Sequence, residues 1–124
     1  GFGLAGHLGE MLIASNMTAE IEIASIPVLP GVVNTIAVEG IKSTLHEANR
    51  QSALLQLTQV KQADLDSYAK FELLFDPQTS GGLLAGISAD KVAACLAALK
   101  QAGYAAAVIG KVTSGSPMIL LSAH

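Results

Sequence analysis

Tryptophan is absent from this chain, and its 124 residues include only two tyrosines and three phenylalanines. Aromatic platforms for stacking single-stranded bases are therefore poorly supplied. Basic residues are scarce too. Seven Lys+Arg face ten Asp+Glu, for a formal net charge of −3. They form no stripe, which argues against binding nucleic acid by neutralising its backbone. Cys95 is the single cysteine, which excludes an internal disulfide and a cysteine zinc site. His7, His46 and His124 are scattered, without the H-x-x-x-H spacing of a metal site. Charges and glycines interrupt every apolar stretch, so none reaches the ~18–20 residues of a membrane span. The expectation is no nucleic acid, no membrane and a cytoplasmic location.

What is present is mostly apolar. Hydrophobic residues make up 51% of the chain and charged ones 14%, where about a quarter is usual. The length suits one domain with a real core. The excess of apolar residues is explained if a partner normally covers one face. Gly1 opens the chain in place of Met, with no charged-then-apolar leader. That start reads as a boundary inside a larger protein.

Leu4, Ala5, Leu8, Met11 and Leu12 recur at helical spacing, predicting a helix over about Gly3 to Ser15 that stops at Asn16. Ala19 to Ala24 alternates apolar and acidic residues and reads as a half-buried strand. A turn at Ile26 to Gly31 leads to a short helix over about Val32 to Glu39, with Gly40 as its stop. Residues 41–63 show no apolar face that assigns them. Asp64 to Lys70 suggests one helical turn. Phe71 to Phe75 and Gly82 to Ile87 read as strands. Ser88 is a candidate N-cap for a helix with an apolar stripe of Val92, Cys95, Leu96 and Leu99, ended by Gly103. Ala105 to Val112 and Met118 to Ser122 read as strands around the turn Thr113 to Pro117. Helices and strands mix without strict alternation. The expected class is α+β, helices packed on a mixed sheet, with residues 82–112 forming half of a ferredoxin-like unit.

The most telling stretch is Asp76-Pro77-Gln78-Thr79-Ser80-Gly81-Gly82-Leu83-Leu84. Pro77 fixes its own φ and biases Asp76 toward an extended backbone. Gly81 and Gly82 tolerate positive φ and let another group approach the backbone. Thr79 and Ser80 add hydroxyl donors beside the loop amides, which suits an anionic oxygen. The bland alternative is a glycine turn between strands. At the other end, Gly1-Phe2-Gly3-Leu4-Ala5-Gly6 spells G-x-G-x-x-G. A dinucleotide fingerprint also needs a preceding strand, and the glycines fit better as a helix N-terminus whose free amides suit a phosphate. The alternative there is that they only allow close packing.

The remaining polar residues have simpler readings. His7 is expected to be partly buried and satisfied, and Cys95, on the apolar stripe of a helix and flanked by alanine and leucine, to be a buried structural thiol. Asp64 and Asp66 read as solvated surface. His46-Glu47 and Asn49-Arg50 form a polar island that reads as a capped turn, although an Arg/Asn pair can hold an anion.

Four strings, in order, resemble one family. Gly1 to Leu8 is similar to the T-G-F-G-L-x-G-H element of selenophosphate synthetase (selenide, water dikinase). Ile26-Pro27-Val28-Leu29-Pro30-Gly31 resembles its (I/L)P-x-LPG turn, Asp76 to Leu84 its D-P-Q-T-S-G-G-L-L hallmark, and Ala107 to Val112 its A-x-I-G-x-V strand. Its superfamily includes aminoimidazole ribonucleotide synthetase, thiamine-phosphate kinase and a hydrogenase-maturation protein. Members pair an amino-terminal, dimer-forming, ATP-binding domain with a carboxy-terminal α+β domain that closes the cleft.

The resemblance therefore implies that residues 1–124 are a single carboxy-terminal domain, with its own amino-terminal domain as partner and a homodimer in the full-length enzyme. It implies a reaction that turns ATP, selenide and water into selenophosphate, AMP and phosphate, with Mg2+ and K+. The family's catalytic Cys or Sec, its Lys and most metal-binding aspartates lie upstream, so Cys95 matches none of them. No catalytic or metal residue is expected in this chain, no ligand is expected to bind it tightly alone, and alone it is expected to be inactive. Gly1, Gly3, Thr79, Ser80, Gly81 and Gly82 are the candidates for the phosphate side of the cleft. Asn49 and Arg50 match part of the family's G-G-T-x-x-N loop, whose glycines are missing here. The alternatives are a structural or interaction domain that packs on a partner, and the equivalent domain of a related ATP-dependent small-molecule kinase or synthetase.

Overall fold

The structure is a computed structural model and describes residues 1–53, 57–58 and 65–123. Its elements are α1 (Gly3–Ser15), β1 (Met17–Glu22), α2 (Val32–Ala37), α3 (His46–Ala53), β2 (Leu57–Thr58), α4 (Leu65–Leu73), α5 (Val92–Gln101), β3 (Gly110–Ser114) and β4 (Met118–Ser122). Short 3-10 turns cover Ile23–Ser25 and Ala89–Lys91.

The first helix has the predicted bounds. Its buried side is Ala5, Leu8, Gly9 and Leu12, the i, i+3, i+4, i+7 stripe of an amphipathic helix. Met11 falls outside that stripe and is exposed. Asn16 ends the helix in the left-handed conformation, φ 54°, and its amide returns to the carbonyl of Leu12. Asparagine tolerates that backbone better than most residues. The chain then reverses at once into β1.

The sheet order is β2-β4-β1-β3. β1 pairs antiparallel with β3 and parallel with β4, while β2 pairs parallel with β4. Ala19 lies opposite Ile119 and Ile21 opposite Leu121. These four side chains share the covered face and are all buried, as the period-2 rule requires. The other face of β1 carries Glu20, whose carboxylate meets Lys111 of β3 at 3.1 Å. The core lies between this sheet and the helices, joining Ala5, Leu8 and Leu12 of α1 to Ile23, Ala53, Phe71, Leu74 and Phe75.

The α+β class with helices on a mixed sheet is thus what forms, but several predicted elements change. Phe71 to Leu73 is not a strand. It completes the nine-residue α4, and Leu74–Phe75 form the turn that follows. A five-residue apolar run is compatible with a strand or a buried helix end. Burial on all sides is what allows the helix here. The predicted strand at 82–87 takes no regular form and joins no ladder among the described residues. Of the proposed ferredoxin-like half, only α5 and β3 take regular form, and β3 starts at Gly110, not at Ala105. Val32 opens the second helix as predicted, but it ends at Ala37, ahead of the turn at Gly40, φ 67°. α3 lies where no element was assigned. Residues 54–56 and 59–64, including Asp64 and most of the unassigned stretch, lie outside the described residues, as does His124.

α5 contains no buried residue. Val92, Cys95, Leu96 and Leu99 of its stripe are only half-buried, so Cys95 is not the buried thiol expected. Ser88 makes no side-chain cap. Its carbonyl accepts from the Lys91 amide instead. Around the helix, Leu83, Ile87, Tyr104 and Val108 are exposed.

Candidate functional site

Three helices meet where α4 ends. α1 arrives first. Gly3 has φ 79°, and a Cβ added there would stand 2.6 Å from the Leu74 carbonyl oxygen and 2.7 Å from the Phe75 carbonyl carbon. Any other residue would collide with backbone, which has no rotamer to escape into. The Ala5 amide donates to the Leu74 carbonyl at 2.9 Å. The Phe2 amide reaches His7 Nε2 at 3.4 Å, and the two rings lie 5.5 Å apart. His7 itself is exposed, not partly buried as predicted. A helix start normally leaves several amides unpaired. Here Ala5 and Phe2 are used internally, and those of Gly3 and Leu4 have no partner among the described residues. Gly3 therefore serves close packing first.

α3 supplies the second wall. His46, Asn49, Arg50 and Ala53 fall at i, i+3, i+4 and i+7, one face of the helix. His46 is buried, with Nε2 3.0 Å from both the main-chain oxygen and the Oε2 of Glu72. Lys42 Nζ donates to the same Oε2 at 3.1 Å. Glu72 is therefore a buried carboxylate held between two nitrogen groups, which is how a charge is retained in an interior. The His46 ring stands edge-on to Phe75 at 5.7 Å. The Arg50 guanidinium lies 5.9 Å from the Phe71 ring centre and 6.0 Å from that of Phe75, within cation–π range. Asn49 Nδ2 donates to two carbonyls, Gly1 and Phe75, each at 3.0 Å. Asn49 and Arg50 therefore sit within a helix, not in the capped turn expected.

The third part is the loop. It begins directly after Phe75 and passes Gly1, whose added Cβ would be 3.9 Å from Pro77 Cβ. Thr79, Ser80, Gly81 and Gly82 are all exposed. The positive φ expected of the glycines belongs to Ser80 instead, at 55°. Gly81 has a different setting. The Gln78 side chain folds over it, with Oε1 2.8 Å from where a Cβ would stand, whereas nothing lies within 4 Å of that point at Gly82. The hydroxyls of Thr79 and Ser80 make no hydrogen bond among the described residues. The structure thus brings Gly1, Gly3 and Asn49 to the start of the loop, while Thr79 to Gly82 project beyond it.

The buried His46–Glu72 pair, with Lys42 at its edge, was not legible as a site. Two signals pointed to it: a carboxylate inside the apolar run 71–75, and the helical spacing of 46, 49, 50 and 53. Among the described residues no group of three or more His, Cys, Asp and Glu comes together to hold a metal. The unpaired loop hydroxyls and the two free amides of α1 are hydrogen-bond donors. Such a set fits phosphate oxygens and does not fit a divalent cation.

The chain belongs to the family of AIR synthase related proteins, matching their C-terminal domain over residues 1–120. At the level of individual proteins it is similar to selenide, water dikinases. It is 38% identical over 122 residues to that of Pseudomonas straminea, covering 98% of this chain and 33% of the relative. With that of Bordetella bronchiseptica it shares 38% over 117 residues, 94% of this chain and 32% of the relative. With that of Geobacter sp. (strain M21) it shares 37% over 123 residues, 98% of this chain and 34% of the relative. The chain spans about a third of the length of these proteins and matches their C-terminal part.

Proposed function

We propose that this chain is the carboxy-terminal domain of a selenide, water dikinase, and that it forms the phosphate-side wall of the cleft in which ATP, selenide and water become selenophosphate, AMP and phosphate. One observation carries the reading. Of the two strings that resemble the family most, Gly1 to Leu8 and Asp76 to Leu84, the first lies against the turn that leads into the second, and Gly1 lies beside Pro77, although they are far apart in sequence. Gly3 rests on the backbone of Leu74 and Phe75, and Asn49 joins Gly1 to Phe75.

Phosphoryl transfer depends mainly on positioning and on stabilising charge. A wall of amides and hydroxyls contributes to that without supplying a nucleophile. The Thr79 and Ser80 hydroxyls and the open backbone at Gly82 are the groups that meet ATP-derived phosphates. Magnesium and potassium belong to the full-length enzyme, and no step is assigned to a metal held by this chain. The nucleophile, the metal ligands and the dimer contact lie in the amino-terminal domain. Alone, this chain is inactive in this reading. Selenide-dependent AMP formation by the purified 124-residue chain would overturn that.

A second reading has its own observation. Leu83, Ile87, Tyr104 and Val108 are exposed around a helix that buries nothing, a patch of the kind that marks an interface. As the chain covers a third of its relatives' length, the partner this reading implies is the protein's own amino-terminal domain. Titrating ADP with magnesium into the 15N-labelled chain separates the two roles. Amide shifts at 1–6 and 79–82 support the phosphate wall. Their absence, with shifts at 83–109 on adding the amino-terminal domain, supports a packing role only.

A further inference from the structure

We infer that Asn49 is a positioning residue. Its side-chain amide fixes the signature loop against the start of α1, and it does so without touching substrate. The inference rests, for its kinetic readout, on the phosphoryl-transfer reading above.

The geometry is specific to an amide. Nδ2 carries two hydrogens, and two carbonyl oxygens lie 3.0 Å away, those of Gly1 and Phe75. Gly1 is the backbone just ahead of α1, and Phe75 is the last residue before Asp76 opens the loop. One side chain therefore sets the distance between the two. The stem that carries it is well anchored. Asn49 lies within α3, its amide bonded to the Leu45 carbonyl. One turn earlier, His46 ties the same helix to Glu72 of α4. The neighbouring Arg50 stacks over Phe71 and Phe75. α1 also meets this turn through the Ala5 amide on Leu74, the packing of Gly3, and the core that Ala5 and Leu8 share with Leu74 and Phe75. None of those reaches Gly1. Removing the Asn49 donors leaves the backbone ahead of α1 untied while the core beneath stays packed.

Asparagine is required by its hydrogens, not by its shape. Aspartate has nearly the same outline but offers only acceptors. At position 49 it would turn two attractive contacts with carbonyl oxygens into repulsive ones.

The test uses the full-length protein carrying Asn49→Asp, with two readouts on the same preparation. Hydrogen exchange is expected to quicken at least tenfold at the amides of Ala5, Phe75 and Asp76. It is expected to stay as in the parent at Ala19 and Ile21 of β1. Selenide-dependent AMP formation is expected to lose at least tenfold in kcat per folded molecule, with KM for selenide changed less than threefold. Unchanged exchange at the junction would overturn the inference. So would faster exchange with an unaltered kcat, which is what a merely structural residue would give. Should Asn49→Asp not fold, Asn49→Ser, with a single donor on a shorter stem, takes its place with the same expected outcomes. Should the parent protein make no AMP from ATP with selenide, the phosphoryl-transfer reading fails by itself. The exchange at Ala5, Phe75 and Asp76 then decides on Asn49 alone.

Discussion

Gly3 and Gly82 show how two glycines of one candidate site differ in kind. Gly3 has positive φ and no room, since a methyl group there meets the backbone of Leu74 and Phe75. Gly3→Ala is expected to destabilise the fold by about 2–3 kcal/mol, from backbone strain and the forced separation of α1 from α4. Gly82 has open space where a Cβ would stand. Gly82→Ala is expected to leave stability within about 0.5 kcal/mol while lowering turnover of the full-length enzyme. Urea denaturation of both variants checks the contrast. Glu72 also has a stake in stability. It is buried, with His46 at 3.0 Å and Lys42 at 3.1 Å. Glu72→Ala leaves an interior histidine and a half-covered lysine without their acceptor, at an expected cost of about 3 kcal/mol, read from the denaturation midpoint.

At the scale of elements, each helix that buries a stripe should answer to truncation and α5 should not. Leu12→Ala in α1 empties a filled position and is expected to cost about 2–5 kcal/mol. Leu96→Ala in α5 is expected to cost under about 1 kcal/mol, because that side chain is only half-covered. Thermal melts of the two variants decide it. The same distinction explains what the sequence revealed. α1, β1 and β4 were readable because their burial is one-sided, and one-sided burial leaves a period in the residues. Asn16 marked the end of α1 by its own chemistry. α4 was misread at Phe71 to Phe75 because a run buried all round carries no period. α3 escaped notice because its inward face is mostly polar, with buried His46 and partly buried Asn49 and Arg50 ahead of buried Ala53. The stretch 82–87 has strand-like residues but pairs with no neighbour among the described residues, and pairing is a tertiary fact. At the candidate site, the loop was legible as a string. The role of Asn49 was not, since it depends on two carbonyls that only folding brings near it.

At the scale of the whole molecule, the domain has two unequal parts. A packed body joins the sheet to α1, α3 and α4. From it the stretch through α5 runs out with its apolar residues uncovered. The loop from Asp76 to Gly82 lies between them, anchored at its first end by the three-helix junction and exposed from Gln78 to Gly82, before Leu84 returns to the core. That placement gives it a fixed origin and an accessible backbone, as a phosphate-side wall requires. Among the described residues no helix is long and apolar enough to cross a membrane. The most direct measurement is selenide-dependent AMP formation by the full-length protein carrying Thr79→Ala, Ser80→Ala and Gly82→Ala together. These three exposed positions contribute little to the packed body. If the loop is a wall of the phosphoryl-transfer cleft, turnover should fall by tenfold or more with an unchanged denaturation midpoint. Turnover equal to that of the parent would contradict the assignment.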